Sequence, residues 1–314
     1  TRLTYAHVAS GRTRSYDRDF SLAELESFWT GIIERYLGWV GRISDFRAKR
    51  NASLADLAFP YPDFRPGQRD MAVGVYQAVK NNGRLLIQAP TGIGKTMAAL
   101  FPALKALCLG AADKIFYLTA RGTGAEAAGR ALETLRDRGA AVKSLTLAAK
   151  EKTCLNPEAE CGPATCEYAR GHFDRIDQAL ENFFLYEAFD RDGVRELARR
   201  ERVCPFELAL DLALWVDVII CDYNYAFDPR VYLRRFFLET RDKFVFLVDE
   251  AHNLVDRARG MFSAELRESD FSEVKDLMGG GLSELDVSLE GIAAWLSRAG
   301  RDKKGFFYEK QAPE

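Results

Sequence analysis

The chain has almost no net charge: 44 Lys and Arg face 46 Asp and Glu, a formal −2 over 314 residues. That balance gives no bulk attraction to nucleic acid, so any such binding has to come from a local basic groove. Long apolar runs are also missing, and none approaches the ~20 residues needed to span a bilayer. Residues 1–20 carry charges throughout, so neither a signal peptide nor a membrane partner is expected. What is present is 47% apolar and 29% charged residues, the balance of a globular core. The length suits about two domains.

The most informative stretch is Ala89-Pro90-Thr91-Gly92-Ile93-Gly94-Lys95-Thr96. It follows Leu85-Leu86-Ile87, which reads as a buried strand, and opens onto residues 97–101, which read as a helix. A strand, a glycine-rich turn and a helix start make a cradle for phosphate. Thr91, Gly92, Ile93 and Gly94 supply the loop, whose glycines let the backbone aim N–H groups inward. Lys95 is placed to reach the β- and γ-phosphates of a nucleotide such as ATP, and Thr96 to set its hydroxyl on Mg²⁺. The general pattern has Gly where this chain has Ala89, a departure that leaves the two glycines nearest the phosphates intact. A second apolar run, residues 244–248, ends in Asp249-Glu250-Ala251-His252. Two carboxylates at the C-terminal edge of a buried strand suit a Mg²⁺-nucleotide site. Asp249 is the candidate for holding the metal and Glu250 for orienting the attacking water, which makes Lys95, Asp249 and Glu250 the catalytic candidates.

Alternation over residues 3–8 and 13–20 around Ser10-Gly11-Arg12 predicts a hairpin. Ser21 with Glu24 reads as a capping box opening a helix to about Arg50, whose aromatic stripe is expected in the core. A start on a strand, without an initiator Met, suggests a piece of something longer. Phe59-Pro60-Tyr61-Pro62 is a linker, and the helix after it starts at Gln68, whose amide could read adenine by a bidentate bond. Residues 115–119, a helix over 124–138 and residues 142–147 continue a β/α alternation, which implies a doubly wound α/β sheet. Expected domains are 1–58 as a junction, 59–147 with 206–261 as the sheet domain, 148–205 as an insert and 262–314 as a helical segment broken at Gly279-Gly280-Gly281.

In the insert, Cys154, Cys161, Cys166 and Cys204 are separated by six, four and 37 intervening residues, and strand character is lacking. With a nucleotide site in the same chain, they suit a reducing, cytoplasmic setting and metal binding rather than disulfides. Four thiolates fit a [4Fe–4S] cluster or a zinc ion; the spacing is wide for zinc-ribbon pairs, and Pro205 follows Cys204 as it follows the last ligand of some iron–sulfur runs. Cys108 and Cys221 lie in apolar surroundings and read as core thiols. Arg170, Arg175, Arg191, Arg195, Arg199, Arg200 and Arg202 make either a DNA-facing surface or a solvated helix face.

Taken together, Arg65-Pro66-Gly67-Gln68, residues 89–96, the four cysteines and Val248-Asp249-Glu250-Ala251-His252 stand in the order found in the XPD/DinG-like iron–sulfur DNA helicases of superfamily 2, which the chain resembles over residues 59–314. The resemblance implies a RecA-like motor domain, a [4Fe–4S] cluster on the four cysteines, and an arch-like helical segment after about Met261. It further implies nucleotide contacts from Arg65 and Gln68, backbone contacts to DNA from Thr119 and Arg121, and coupling of hydrolysis to DNA through His252. The implied activity is ATP-dependent 5′-to-3′ movement on single-stranded or forked DNA, with a second RecA-like domain as partner. Residues 1–60 are similar to the region that joins a Cas4-like nuclease to such helicases, and they hold no nuclease Glu/Asp…Glu-x-Lys set. Two other classes stay in view. A non-catalytic, cluster-bearing DNA-binding module would have lost Lys95 or the Asp249-Glu250 pair, and a P-loop kinase or switch would show no dependence on DNA.

Overall fold

The computed structural model describes residues 2–7, 10–120, 122–238, 242–265, 267–278 and 283–300, in two compact units that divide after Leu254. The expected boundary at 58 does not separate a unit, because the end of the long first helix enters the sheet domain's core.

Strands β1 (Arg2–Ala6) and β2 (Thr13–Asp17) form the antiparallel hairpin. Helix α1 (Leu22–Asp56) starts at the capping box, with Ser21 accepting the Glu24 N–H and the Glu24 carboxylate accepting the Ser21 N–H. Its stripe is core only in part. Phe28, Trp29, Ile33, Tyr36 and Leu37 are exposed. From Trp39 on, the helix meets other elements: Trp39 packs edge-on against Phe184 and Trp215, Phe46 against Phe183, and Leu54 and Leu57 lie in the main core. Periodicity shows which face of a helix is apolar, not what covers it.

The sheet domain continues through α2 (Gln68–Lys80), α3 (Lys95–Cys108), β3 (Lys114–Thr119), α4 (Gly122–Asp137) and β4 (Ser144–Thr146). The insert folds as α5 (Lys150–Thr153), α6 (His172–Glu181), β5 (Ala188–Phe189) and α7 (Arg191–Glu201). The chain returns through α8 (Pro205–Ala213), β6 (Val218–Asp222), α9 (Asn224–Phe227), α10 (Arg234–Phe237) and β7 (Phe244–Val248). Five strands form one parallel sheet in the order β5-β4-β6-β3-β7. Alternate residues face opposite sides. Ile115, Tyr117, Val218 and Ile220 meet α3, α4 and the end of α1. Phe116 on the other side packs with Phe236, Phe237, Phe244 and Phe246. Helices on both faces of a parallel sheet are the doubly wound, RecA-like arrangement.

Two expectations change. Leu85-Leu86-Ile87 is not a strand: residues 84–90 are irregular, and Leu86 is 94% exposed. A strand exists through its ladder, and among the described residues this run has no ladder partner, so apolar composition alone leaves it unpaired. The insert, expected to lack strands, supplies β5 at one edge of the sheet. Two residues carry no period to detect.

Charge is buried beside the sheet. Asp217, just before β6, accepts a bond of 2.6 Å from the Arg50 guanidinium and one of 2.8 Å from the Lys143 N–H. The Lys114 ammonium donates to the carbonyls of Leu214 and Val216, and that of Lys143 to Tyr186. Burial pulls Lys114 and Lys143 each down to about 8, against the upward pull of nearby carboxylates, Asp217 included. Between pH 8 and about 10.5 the unfolded chain therefore holds more lysine protons than the folded one, and these two groups make stability rise with pH across that window. Burial holds Cys221, Tyr117 and Tyr225 neutral and works in the opposite direction at alkaline pH. The check is thus a difference: in denaturant unfolding from pH 7.5 to 10, Lys114→Met is expected to lose part of the rising slope. Identical slopes for the two proteins would refute the assignment.

The second unit holds most of α11 (Leu254–Met261), with α12 (Glu268–Met278) packed on α13 (Ser283–Gly300) and Lys275 paired with Glu290. The glycine break lies outside the described residues.

Candidate nucleotide site and cysteine lobe

The loop before α3 takes its shape from two glycines in the left-handed region, Gly92 at φ +86 and Gly94 at φ +83. At Gly94 the positive φ calls for glycine, and a Cβ there would lie 2.4 Å from Gln68 Nε2 and displace that amide. The Arg65 guanidinium donates to the Gly92 carbonyl, and Gln68 Nε2 to the Gly94 carbonyl at 3.3 Å, while Gln68 Oε1 accepts the Arg65 N–H at 3.0 Å. Gln68 is 3% exposed. Each end of its amide thus bonds the protein and braces the loop.

Lys95, the first residue of α3, donates to the Ala89 carbonyl at 3.4 Å and lies 3.5 Å from Glu250 Oε1. The loop and the Asp249-Glu250 pair thus meet at the C-terminal end of the parallel sheet, where such sheets bind ligands. Tyr117 on β3 reaches Thr96 Oγ1 at 3.5 Å and also bonds Asp249; burial, with the Asp249 and Glu250 charges, pushes its phenol up. Glu250 Oε2 is 3.4 Å from His252 Nδ1, on a side chain 72% exposed. A cavity of about 360 Å³ beside them is lined by Thr119, Thr123, Gly124, Asp249, Glu250 and His252 among others. Thr119, expected at the DNA backbone, is buried in its wall; a Cβ at Gly124 would lie 2.2 Å from Thr119 Oγ1 and 3.2 Å from Asp249 Oδ2. Arg121 lies outside the described residues. Sequence reasoning missed Tyr117 as a bridge between Thr96 and Asp249, because a tyrosine in an apolar strand reads as core.

The six cysteines are free thiols. Cys154 ends α5, and Cys204 is the residue before α8, a helix that packs against α5. Burial pushes the Cys204 thiol up, while the N–H groups of Glu207 and Phe206 at the helix start pull it back. The Cys161 sulfur, and to a lesser degree Cys204, hold Lys150 above its ordinary value, and Cys166 acts on Cys204. The buried His172 accepts the Cys204 N–H at 3.2 Å. Among the described residues no three His, Cys, Asp or Glu side chains are arranged around a single metal ion. The thiols are instead spread over one lobe. Four thiols in one lobe are a donor set that a [4Fe–4S] cluster or a zinc ion would use. Several arginines considered for DNA hold the lobe's own backbone: Arg170 donates to Pro163 and Ala164, Arg175 to Arg202 and Arg170, and Arg195 to Lys152.

Fold and site together define a P-loop nucleotide-binding domain of the RecA-like kind. Residues 68–153 match the DEAD/DEAH box helicase family and residues 137–271 the DEAD_2 family. The chain is 25% identical over 232 residues to the "General transcription and DNA repair factor IIH helicase subunit XPD" of Arabidopsis thaliana, covering 62% of this chain and 30% of that protein. It is 26% identical over 214 residues to the "ATP-dependent DNA helicase XPD" of Sulfolobus acidocaldarius, covering 67% and 35%. A solved XPD helicase structure shares the fold at a TM-score of 0.54 and 22% identity, covering 76% of this chain and 41% of the other. The two family matches together run over residues 68–271, and the chain is XPD-like over that part. It spans about a third of the length of these two relatives. No helix among the described residues is long and apolar enough to cross a membrane.

Proposed function

We propose that this chain is the first motor domain of an ATP-dependent DNA helicase. The observation that carries the reading is the meeting of Lys95, Glu250 and the Gly92–Gly94 loop at one end of a parallel sheet, 3.5 Å apart at the Lys95–Glu250 pair. The loop N–H groups from Thr91 to Thr96 hold the phosphates, and Lys95 moves from the Ala89 carbonyl and Glu250 onto the β- and γ-phosphates. Mg²⁺ when bound neutralises charge developing on the phosphate oxygens, held by Thr96 and Asp249, which Tyr117 keeps together. Glu250, released from Lys95, orients the attacking water. His252, facing Glu250 from an exposed position, reports hydrolysis to DNA, which the loop after β3 with Arg121 contacts.

Cys154, Cys161, Cys166 and Cys204 hold a [4Fe–4S] cluster in the same reading. It supplies covalent stapling to a lobe with little core of its own. The lobe then acts as a wedge where strands of forked DNA part, with 5′-to-3′ movement by family resemblance. A second RecA-like domain completes the site with arginines across the nucleotide.

The test has two readouts. ATP turnover by the polypeptide carrying both motor domains is expected to rise several-fold with single-stranded DNA, and anaerobically prepared protein is expected to contain iron. Turnover indifferent to DNA would favour a kinase or nucleotide switch and reject the helicase reading. Protein holding zinc and no iron would reject the cluster.

A further inference from the structure

Glu250 has φ +50 and ψ +46, a left-handed conformation that a side chain with a Cβ adopts only under constraint. Such a residue is disfavoured against the right-handed alternative and persists only where its surroundings over-determine it. The constraint falls on its carbonyl. That oxygen accepts the Asn253 N–H at 3.0 Å, Asn253 Nδ2 at 3.1 Å and the Tyr223 hydroxyl at 3.1 Å. The same hydroxyl also donates to the carbonyl of Asp249.

The two donors differ in kind. Asn253 is three residues away, within the short turn that follows Glu250. Tyr223 comes from the end of β6, which is separated from β7 by β3. Its side chain is fully buried, and its mount is stiff: the Asn224 N–H bonds Asp222 Oδ1, and the Tyr225 hydroxyl bonds the Ala148 carbonyl at 3.0 Å. The phenol therefore reaches across the end of the sheet and holds two successive carbonyls of the Asp-Glu pair from a frame that does not belong to their own turn.

We propose that Tyr223 is a positioning residue for ATP hydrolysis, which fixes the left-handed backbone of Glu250 and so aims its carboxylate at Lys95 and the attacking water. The inference rests on the nucleotide reading above and adds a residue that no phosphate or metal contact would reveal. Tyr223 touches no reacting atom; without its hydroxyl the Glu250 backbone is free to relax, and the carboxylate leaves the place where Oε1 is 3.5 Å from Lys95 Nζ. Nucleotide binding, which depends on the loop before α3, is untouched.

Tyr223→Phe keeps the buried ring and removes only the hydroxyl. In the polypeptide carrying both motor domains, with single-stranded DNA, it is expected to lower kcat about tenfold while KM for ATP stays within twofold. A double-mutant cycle identifies the route. In a Glu250→Gln background, single-turnover hydrolysis is expected to change less than twofold on adding Tyr223→Phe, because the group being positioned is already disabled. Asn253→Ala, which removes the other side-chain donor from the same carbonyl, is expected to lower kcat in the same direction and guards against a folding defect peculiar to position 223. Full turnover in Tyr223→Phe, or equal losses in both backgrounds, would overturn the proposal. Turnover surviving Lys95→Ala would remove the nucleotide reading itself, whereas a dead Lys95→Ala beside a fully active Tyr223→Phe removes only this inference.

Discussion

Lys95→Ala is expected to reduce DNA-stimulated ATP turnover by about 10²–10³-fold or more, the usual cost of deleting one preorganised electrostatic contact to a transition state. Unfolding is not the cause to expect. The Lys95–Glu250 pair is half-open to solvent, at 30% and 47% exposure, and such pairs contribute about 0–1 kcal/mol. A change of that size leaves the fold intact while the ammonium is lost from the β- and γ-phosphates. The present contacts also give the lysine a second task. In the proposed reading it occupies the Glu250 carboxylate, 3.5 Å away, until a triphosphate draws it off, which ties release of the water-orienting group to arrival of substrate. Lys95→Arg is therefore not expected to restore activity, because a planar fork does not replace a compact point charge in a loop closed around Gly92 and Gly94. The measurement is steady-state ATPase with single-stranded DNA, alongside thermal melts of both variants. An active, well-folded Lys95→Ala protein would refute the assignment.

The parts of this site that could be read in the sequence are those whose chemistry is local. Gly92 and Gly94 are needed where they stand because consecutive backbone angles require them, and the apolar runs ending at Thr119, Asp222 and Val248 are strands long enough to show. The Ser21–Glu24 capping box is equally local. What could not be read depends on partners far along the chain. Gln68 looks like a free amide until Gly94 is seen beside it. Residues 85–87 look like a strand, yet pairing is decided by a neighbour that composition does not name. The arginines of the cysteine lobe look like a binding surface, while several spend their donors on nearby carbonyls. Tyr223 is legible only after folding, since its two acceptors are 26 and 27 residues away.

The largest stability effect is expected from Asp217→Ala. The carboxylate is 2% exposed and accepts from Arg50, itself only 9% exposed at its side chain, at 2.6 Å. It also takes the Lys143 N–H and raises the pKa of the buried Lys114 and Lys143 ammonium groups. One anion thus serves three cations where α1, β3 and β4 meet. Alanine leaves the Arg50 guanidinium buried without its counter-charge, and removing one partner of a buried pair costs about 3–5 kcal/mol. At about 2–4 °C per kcal/mol for a domain of this size, the melting temperature should fall by roughly 6–20 °C. Arg50 cannot lose its proton in response, but the lysines can: with Asp217 gone, both should titrate below their present value of about 8. The double variant Arg50→Met/Asp217→Ala, which removes the orphaned charge as well, is expected to recover a good part of the loss, because an apolar replacement of a buried ion pair is often neutral. A single Asp217→Ala that melts within 2 °C of the parent would show that the buried charges are compensated by some other route.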